Sequence, residues 1–533
     1  MAYRVGGEAV LDRVEDDWTA QAAAPSSAPA PARALKQVHA PPLVPRFSSC
    51  PEIDCVRHLL PHHVLVLAEQ RAAEIGVGAD RVLVAWGFIE EEAYVAALSA
   101  WLGIPFEPLS LQPRDWSPPS AASLIQAANT GMLPLMERGE LKIVVVPRLV
   151  ESRDLVRLAM LGADPVRRIR LTTAARLRRF VAGHTAQNIE RRAVDELREW
   201  RPDLSAGVSR SRRKIVAGSI TLAALTAIAI PDIFMTACEF ALGFVFLAWT
   251  ALRFLGLVNN RVAGPRLQKS LDERLPIYSI VIALYREAAA VKELVAAIDA
   301  INYPVEKLDV KLVIEPDDDE TREAIARLQL RSQFEVIVAP ARGPRTKPKA
   351  LNAALPFARG KFVAVFDAED RPEPDQLRLA LDAFEASDEG LACVQARLTI
   401  DNTADSWLTR LFTAEYAGLF DVFLPGLAAW RLPLPLGGSS NHFRTHVLRK
   451  VGAWDPYNVT EDADLGMRLA RFGYRTAVIA STTYEEAPGR LGPWLRQRTR
   501  WCKGWAQTFW CTCAPRHVSS ANWDGRGSWS SSF

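Results

Sequence analysis

The sequence predicts an α/β protein with three structured parts: a small α+β domain, a two-helix membrane hairpin and a larger α/β domain. Between residues 273 and 510, short apolar runs alternate with helical patterns, which is typical of a sheet covered by helices on both faces. Two long apolar runs lie within residues 210–260. Residues 49–205 combine shorter helical and strand-like patterns, so we expect a separate domain before the hairpin.

The composition limits the classes of function. The 533 residues are enough for several domains. The 64 basic and 61 acidic residues leave a net charge of +3, which gives no case for a nucleic-acid partner. Seven cysteines in a chain of this length do not form a disulfide framework. Cys55, His58, His62 and His63 resemble a metal-binding set, but Pro61 interrupts their spacing, so we interpret them as an ordinary helix and turn.

The first 48 residues are expected to be a disordered tail. They lack the apolar core of a secretory signal and carry several acidic residues. Residues 22–45 are rich in alanine and proline, and such a segment has little apolar surface to bury.

Residues 210–260 predict a transmembrane hairpin. The 16 residues of 215–230 contain no charged side chain. As a helix they would span about 24 Å, slightly less than the roughly 30 Å of a hydrocarbon core. Pro231-Asp232 ends this run, and residues 233–258 form a second one that carries Glu239 and Arg253. The alternative is a pair of buried helices in a soluble domain.

Basic residues flank the hairpin on both sides, within 210–214 and 261–269. Because basic flanks remain in the cytoplasm, both ends of the hairpin are expected there. The sequence therefore predicts a multi-pass protein of the inner membrane, in contact with the lipid bilayer, whose two folded domains are cytoplasmic.

The domain of residues 49–205 is predicted to contain helices at 89–102 and 151–161 and a strand at 142–146. The segments LVAWGFIEEEAYVAALSAWLGIPFEPL and LPLMERGELKIVVVPRLVESRDLVRLAM resemble the N-terminal domain of type II secretion and pilus ATPases. Some members of that family bind cyclic di-GMP through an Arg-Leu-Gly start and a later Gln. Here Gly78-Ala79-Asp80 and Trp101 stand at those positions. The resemblance therefore implies a docking or regulatory domain with a protein partner and without this dinucleotide.

In the larger domain, strands are predicted at 278–284, 310–314, 334–338 and 362–366, with helices at 288–301 and 321–329. This alternation implies a parallel sheet, and ligands of such sheets bind beyond the carboxyl ends of the strands. Three strands are followed by polar clusters, namely Tyr285-Arg286-Glu287, Asp317-Asp318-Asp319 and Asp367-Ala368-Glu369-Asp370.

These clusters suit a nucleotide-sugar. Asp367 and Glu369 can supply oxygen ligands to a divalent cation, Mg²⁺ or Mn²⁺, that neutralises a pyrophosphate. Lys347 and Lys349 can reach phosphates as point charges.

Asp317 and Asp318 can accept hydrogen bonds from a uracil and a ribose. One carboxylate of Thr460-Glu461-Asp462, directly before a predicted helix at 463–472, can deprotonate an acceptor hydroxyl. The alternative for each cluster is a solvated acidic turn, a common surface feature.

The order of these signals resembles the D, DxD, D and QxxRW set of processive family 2 glycosyltransferases, which include bacterial cellulose synthase. The last element is Gln497-Arg498-Thr499-Arg500-Trp501, and Gly438-Ser439-Ser440-Asn441-His442 is similar to the family's loop near the acceptor. The resemblance covers about residues 276–505 and implies the nucleotide-diphospho-sugar transferase fold, GT-A. Glu369 departs from the commoner Asp and keeps the carboxylate on a longer side chain.

The resemblance implies a role for each matching residue. Asp462 is the catalytic base of an inverting transfer, and Asp367 and Glu369 hold the metal. Gln497 and Arg500 face the pyrophosphate and the acceptor. The implied substrate-binding residues are Tyr285, Glu287, Asp317, Asp318, Lys347, Lys349, Glu461, Gln497, Arg500 and Trp501. The aromatic and basic residues of 491–510 also suit a helix at the membrane interface.

The predicted function is a membrane-bound transfer of a hexose from a UDP-sugar donor to a carbohydrate acceptor, a growing polysaccharide or oligosaccharide. Two alternatives stay open: a non-processive transfer to a lipid acceptor, and a truncated, inactive membrane scaffold. Residues 511–533 lack the apolar runs that normally follow in the resembled family. Other reading frames of plausible codons near Phe509 restore a family-like continuation, so we expect a frameshift or truncation there, with a genuine short tail as the alternative.

Overall fold

The computed structural model describes residues 49–110, 116–117, 119–137, 139–161, 164–207, 210–258 and 271–513. The predicted N-terminal tail, the basic cluster of 261–269 and residues 514–533 of the atypical tail lie outside the described residues.

Residues 49–258 contain nine α-helices and four strands among the described positions. The helices are α1 (His62–Ile75), α2 (Ala79–Ala85), α3 (Glu91–Leu102), α4 (Ala121–Thr130), α5 (Ser152–Met160), α6 (Ala174–Val194), α7 (Glu196–Trp200), α8 (Arg210–Ala229) and α9 (Pro231–Val258). The strands are β1 (Trp116–Ser117), β2 (Met132–Glu137), β3 (Glu140–Val145) and β4 (Ile169–Leu171).

Among the described residues, the first compact unit covers 49–117 and 131–177. Its sheet has the order β1-β2-β3-β4, in which β2 and β3 form an antiparallel hairpin and β4 runs parallel to β3. Helices α1, α2, α3 and α5 contribute to one apolar core with the sheet. The predicted helices and the strand of this region are therefore present, within a few residues of the expected ends.

Two buried acidic side chains hold this unit together. Arg153 pairs with Glu52, which is fully buried, at 2.9 Å. The Ser152 hydroxyl donates to Asp80 at 2.7 Å, and burial raises the pKa of Asp80 to about 6. Gly78 lies against the Asp80 carboxylate, so the Gly78-Ala79-Asp80 stretch serves the interior of the unit.

The second unit comprises residues 118–130 and 178 onward. The expected domain of residues 49–205 is thus divided, because α4 and residues 178–207 pack with the larger domain. The Asn129 amide, for example, donates to the Pro356 carbonyl at 2.6 Å, and Arg178 pairs with Glu335 at 2.8 Å.

The described residues 271–513 contain eight strands, which all belong to one sheet. They are β5 (Tyr278–Leu284), β6 (Leu308–Ile314), β7 (Phe334–Val338), β8 (Phe362–Phe366), β9 (Arg371–Pro372), β10 (Leu391–Ile400), β11 (Asn441–Arg444) and β12 (Arg475–Glu485). The helices are α10 (Val291–Asp299), α11 (Asp319–Arg327), α12 (Lys347–Ala354), α13 (Gln376–Glu385), α14 (Trp407–Tyr416), α15 (Leu424–Ala429), α16 (Thr445–Lys450), α17 (Glu461–Arg471) and α18 (Leu491–Cys513).

The sheet order is β7-β6-β5-β8-β11-β10-β12-β9. The four strands predicted from the sequence, β5 to β8, are mutually parallel. Strand β11, however, runs antiparallel to both β8 and β10, and β10 and β12 are parallel to each other. The expectation of a wholly parallel sheet is therefore corrected to a mixed sheet.

Strand β5 has apolar side chains on both of its faces, which explains why helices cover both faces of the sheet. Ile280 and Ile282 belong to the core on one face, whereas Val281 belongs to the core on the other, as the two-residue period of a strand requires. Because β5 runs parallel to its neighbours β6 and β8, the polar clusters that follow these three strands lie at the same edge of the sheet.

The predicted hairpin appears as two consecutive helices, α8 and α9, separated near Ile230. Helix α9 is long and apolar enough to cross a membrane, and its side chains are almost all exposed. The apolar part of α8 is shorter, residues 217–229. The described residues include a second candidate span that sequence reasoning missed, Trp407–Ala429, which is more buried than α9.

Helix α9 packs against α15 at a pair of glycines. A Cβ atom on Gly426 would lie 2.3 Å from the Gly256 Cα, so the two backbones meet without intervening side chains. The Trp249 and Phe423 rings lie 5.4 Å apart beside this crossing. A π-helical turn, Ala417–Phe423, connects α14 to α15 and supplies Phe423.

Helix α18 packs against the residues that precede α17. The Gln507 side chain accepts a hydrogen bond from the Val459 amide at 3.1 Å, and Asn458 donates to Thr508 at the same distance. Gly504 lies closest, because a Cβ there would come within 2.4 Å of Thr460. A glycine at residue 504 thus permits the helix to approach the start of α17.

We predict that Gly504→Ala displaces α18 and lowers the free energy of unfolding by about 1–3 kcal/mol, the usual cost of overpacking a close contact. The matched control is Gly492→Ala in the same helix, where the nearest atom to a new Cβ belongs to the flexible Arg496 side chain at 3.7 Å. Denaturant unfolding of both variants in detergent measures the difference. Equal stability of the two variants would contradict this account of Gly504.

Candidate active site

Lys347 and Asp367 form an ion pair at the carboxyl edge of the sheet. Asp367 follows β8, and its carboxylate lies 2.5 Å from the Lys347 ammonium at the start of α12. Lys347 also donates to the Gly438 carbonyl at 2.5 Å. Burial alone would lower the pKa of Lys347, but the charges of Asp367, Asp462 and Glu461 raise it well above its usual value. Lys347 is therefore a permanent cation among carboxyl groups.

Glu461 and Asp462 occupy the first turn of α17, as the sequence predicts. Burial raises the pKa of Glu461 to about 7. Burial and the neighbouring Glu461 charge raise the pKa of Asp462 well above its usual value, and Lys347 opposes this shift. A Cβ on Gly438 would lie 3.6 Å from an Asp462 carboxylate oxygen. Lys347 and Asp462 thus both lie beside Gly438.

Glu369 lies at the solvent-facing side of this cluster. Partial burial and the charges of Asp367 and Glu287 raise its pKa. The clusters that follow β5 and β8 are therefore close enough to affect each other electrostatically, as expected for strands whose carboxyl ends meet at one edge.

Asp370 holds the turn that presents Asp367 and Glu369. It is almost fully buried, and one of its carboxylate oxygens accepts from the Asp367 amide at 2.6 Å and from the Ser439 hydroxyl. Burial and the Asp367 charge raise its pKa to about 7. Asp370 belongs to the cluster that follows β8 in the sequence, but the sequence pattern indicates no role for it.

Asp318 organises the loop that follows β5. One of its oxygens caps α11 by accepting from the Thr321 amide at 3.1 Å, and the other accepts from the Arg286 amide at 2.5 Å. Its neighbour Asp317 is more exposed and pairs with Arg345 at 2.9 Å. Asp317 is therefore exposed to solvent, whereas Asp318 is buried and positions the loop that follows β5.

Tyr285 and Glu287 are held by that loop. Arg286 adopts a left-handed backbone conformation with φ +62°, and its guanidinium lies 5.1 Å from the Tyr285 ring centre. The Glu287 amide donates to the Thr321 hydroxyl at 3.0 Å. Burial and the charge of Asp367 raise the pKa of Glu287.

The structure corrects the predicted phosphate role of Lys349. Its side chain is fully buried and donates to Glu315 and to the Pro340 carbonyl, each at 2.8 Å. Lysines two residues apart at the start of a helix point in different directions. Lys347 therefore faces the cluster, whereas Lys349 stabilises the protein interior.

The Gly438-to-His442 segment is also mostly internal. His442 lies in β11, where it bonds to the Tyr278 hydroxyl at 2.9 Å and to Gln376 at 3.2 Å. Burial lowers the pKa of His442 to about 3, so the ring stays neutral. Gly438 is the member of this segment that lies beside Lys347 and Asp462.

The QxxRW element lies on α18 and is ordered by Arg498. This side chain pairs with Glu415 through both of its terminal nitrogens. Its guanidinium lies 4.6 Å from the Trp501 ring centre and 4.7 Å from that of Phe412. Trp501 is therefore partly buried in a stack with Arg498, which the sequence left without a role.

The two other predicted residues of this element differ in exposure. Arg500 is exposed on α18, whereas Gln497 is partly buried. The Gln497 side-chain oxygen has no hydrogen-bond partner among the residues that the structure describes.

Glu485, at the end of β12, is a further acidic group near the cluster that sequence reasoning missed. Burial and the charge of Asp370 raise its pKa to about 8, although a hydrogen bond from Tyr416 opposes the shift. The strand β12 was not predicted, so its terminal residue could not be placed at this edge.

The model of the family described as glycosyltransferase like family 2 matches residues 276–504. This stretch is a family 2 glycosyltransferase domain. Its mixed sheet has the predicted GT-A fold, and the clusters described above lie within or at the edge of the matched residues.

Three curated relatives are similar to part of the chain. The probable glycosyltransferase YdaM of Bacillus subtilis is 26% identical over 243 residues, 45% of this chain and 57% of the relative. The beta-monoglucosyldiacylglycerol synthase of Trichormus variabilis is 26% identical over 281 residues, 49% of this chain and 58% of the relative. The probable glucomannan 4-beta-mannosyltransferase 1 of Arabidopsis thaliana is 29% identical over 247 residues, 44% of each chain. The chain thus spans about half the length of the relatives it matches.

We predict that the stability of the glycosyltransferase domain falls as pH rises from about 5 to about 9. The unfolded pKa of a Glu is about 4.3, whereas the folded pKa of Glu485 is about 8. Between these values the folded state binds more protons than the unfolded state, so stability decreases with rising pH. Glu485→Gln should remove part of this decrease.

Melting temperatures at pH 5, 7 and 9 in chelator measure the effect. Glu323→Gln, at an exposed position of α11, is the matched control and should follow the wild-type curve. A Glu485→Gln curve parallel to the wild type would show that Glu485 titrates normally.

Proposed function

We propose that this chain is a membrane-bound inverting glycosyltransferase that transfers a hexose from a UDP-sugar to a saccharide acceptor. The observation that carries the proposal is the position of Asp462 beside Gly438, whose carbonyl binds the same Lys347 that pairs with Asp367. A proton acceptor and a diphosphate-binding region are thereby adjacent. In a direct displacement the base removes the proton of the attacking hydroxyl while the diphosphate leaves from the opposite face of the same carbon, so both groups must lie close to one sugar ring.

The two carboxylates Asp367 and Glu369 suit a divalent cation. Magnesium is usually bound by one or two protein carboxylates and by substrate phosphates, and the described residues contain no preformed set of three or more His, Cys, Asp or Glu ligands. When bound, Mg²⁺ or Mn²⁺ would neutralise the charge that develops on the leaving diphosphate. Lys347 would place a second positive charge beside the same phosphates.

The proposed transfer uses Asp462 as a general base. The acceptor hydroxyl gives its proton to the Asp462 carboxylate while its oxygen attacks the anomeric carbon, and the UDP leaves from the opposite face. The raised pKa of Asp462 suits this role, because a base is most effective when its pKa approaches the working pH. Glu461, in the adjoining position, stays within the proposed substrate-binding set.

The remaining roles follow the resemblance to processive family 2 glycosyltransferases. Tyr285, Glu287 and Asp317 would contact the uracil and ribose, with Asp318 holding their loop. On α18, Gln497 and Arg500 would face the diphosphate and acceptor. Trp501 would stack on the acceptor sugar, and Arg498 lies against the same ring.

The acceptor is either a growing polysaccharide or a membrane lipid. Relatives of both kinds are found, since one is named a beta-monoglucosyldiacylglycerol synthase and another a probable glucomannan 4-beta-mannosyltransferase. The apolar, exposed helix α9 supports placement at a bilayer, where either acceptor is available. The first unit is proposed to be a docking domain similar to the N-terminal domain of secretion and pilus ATPases, with a protein partner.

Purified protein supplied with a panel of UDP-hexoses and Mn²⁺ should release UDP in the presence of membrane lipid or oligosaccharide. Asp462→Asn should lower turnover by about a hundredfold or more, the scale of general-base loss, while still binding UDP. Chelator and Asp367→Asn should abolish turnover because the diphosphate loses its cation. Asp388→Asn, at an exposed position with an ion pair to Arg475, is the control.

If Asp462→Asn turns over at the wild-type rate, Asp462 is not the general base. Absence of UDP release with every donor would favour the membrane scaffold.

The topology of α8 and α9 is tested by cysteine labelling. The proposed hairpin exposes the turn at Asp232 on the far side of the membrane and keeps Asp272 in the cytoplasm, because basic residues flank both outer ends. In intact cells, Asp232→Cys should react with an impermeant thiol reagent and Asp272→Cys should not. Protection of both positions, with release of the protein by salt, would reject the hairpin.

A further inference from the structure

Residues 190–207, here called the linker segment, precede α8 and contact two loops of the glycosyltransferase domain. The donor loop, residues 340–347, ends at Lys347. The acid loop, residues 455–460, ends directly before Glu461. The two loops therefore lead directly to two residues of the candidate site, Lys347 and Glu461.

The donor loop is held by charge and by close backbone contact. The Arg342 guanidinium lies 3.4 Å from the Glu190 carboxylate and 3.1 Å from that of Asp195, which is buried. Gly343 follows, with φ +90°, and a Cβ there would lie 2.7 Å from the Val194 side chain. The loop thus follows the surface of the linker segment and has no room to shift inward.

The same loop carries groups that face the proposed donor. Arg345 pairs with Asp317 at 2.9 Å, and Lys347 pairs with Asp367 at 2.5 Å. These residues are three and five positions beyond Arg342. A displacement at Arg342 is therefore transmitted along a short stretch to both cations.

The acid loop is held through Asp455, which is fully buried. One carboxylate oxygen accepts from the Ala206 amide at 2.5 Å. The other accepts from the Ser205 hydroxyl at 3.2 Å and the Tyr457 amide at 3.1 Å. A buried carboxylate needs such donors to offset its loss of solvent, so the loop is fixed where the linker segment supplies them.

A ring contact and a direct bond between the loops complete the arrangement. The Arg198 guanidinium lies 5.3 Å from the Tyr457 ring centre. The Thr346 hydroxyl of the donor loop donates to the Pro456 carbonyl of the acid loop at 3.3 Å. The acid loop is therefore bounded by the linker segment, the donor loop and α18.

We propose that the linker segment is a positioning element of the active site, in which Glu190 and Asp195 position the donor loop through Arg342 while Ser205 and Ala206 position the acid loop. The proposal rests on the transferase function proposed above. It assigns a separate kinetic effect to each contact, because one loop leads to the donor-binding cations and the other to the base.

Arg342→Ala should weaken donor binding. Loss of its two ion pairs frees the donor loop, and misplacement of a binding group by about 1 Å is enough to cost tenfold or more. The Kd for UDP with Mn²⁺, measured by calorimetry, and the KM for the sugar donor should both rise about tenfold. Arg342→Lys, which keeps the charge, should recover most of the affinity. Arg327→Ala removes a comparable exposed ion pair, to Glu323, and should leave both constants unchanged.

Ser205→Ala should instead lower kcat. Its loss removes one of three donors to Asp455 and loosens the loop that leads to the base, so kcat should fall about tenfold with an unchanged Kd for UDP. Thr185→Val is the matched control, because the Thr185 hydroxyl is equally buried but donates within its own helix, to Val181. Melting curves confirm that each variant is folded at the assay temperature.

The split between Kd and kcat distinguishes positioning from a purely structural role. If both variants melt earlier but keep wild-type constants when folded, the linker segment serves stability alone and the proposal is overturned. Identical effects of both variants on Kd and kcat would also overturn it, because the loops would then not be held separately. A wild-type protein that binds no UDP and transfers no sugar would refute the transferase function itself, and the positioning role with it.

Discussion

The site depends on the ion pair between Lys347 and Asp367. Several carboxyl groups converge at the edge of the sheet, and like charges in a partly buried region disfavour ionisation of one another. Lys347 offsets this repulsion from within the protein, and its raised pKa shows how strongly the carboxylates favour its charged form. The protein thereby maintains acidic groups close together at neutral pH. Asp367 and Asp462, whose pKa is raised, can then lie within one small volume.

A second set of polar side chains holds the loops that present these charges. Asp318, Asp370 and Asp455 each accept hydrogen bonds from backbone amides and thereby fix the conformation of their loops. Arg498 orders α18 differently, through its ion pair with the Glu415 side chain. The acidic clusters in the sequence therefore combine two kinds of carboxylate, those that face solvent and those that fix the chain.

The sequence predicts the first half of the sheet well because β5 to β8 are short, continuous apolar runs. Strands β10 and β11 contain buried polar residues, such as Gln395 and His442, whose partners come from distant segments and leave no local pattern. The burial of Lys349 could not be predicted for the same reason, because its partner Glu315 is distant in the sequence. Motif spacing predicts that Lys347, Asp367 and Asp462 lie close together, but it does not distinguish Lys347 at the edge of the sheet from its interior neighbour Lys349.

The close crossing of α9 and α15 has a consequence for where chemistry takes place. Two glycines in backbone contact, Gly256 and Gly426, leave little freedom for sliding, since the Trp249 and Phe423 rings pack beside them. With α9 in a bilayer, the transferase domain would be held at a fixed height above the lipid and would not swing on a tether. An acceptor would then have to present its hydroxyl at that depth, so distance from the membrane would itself select the substrate.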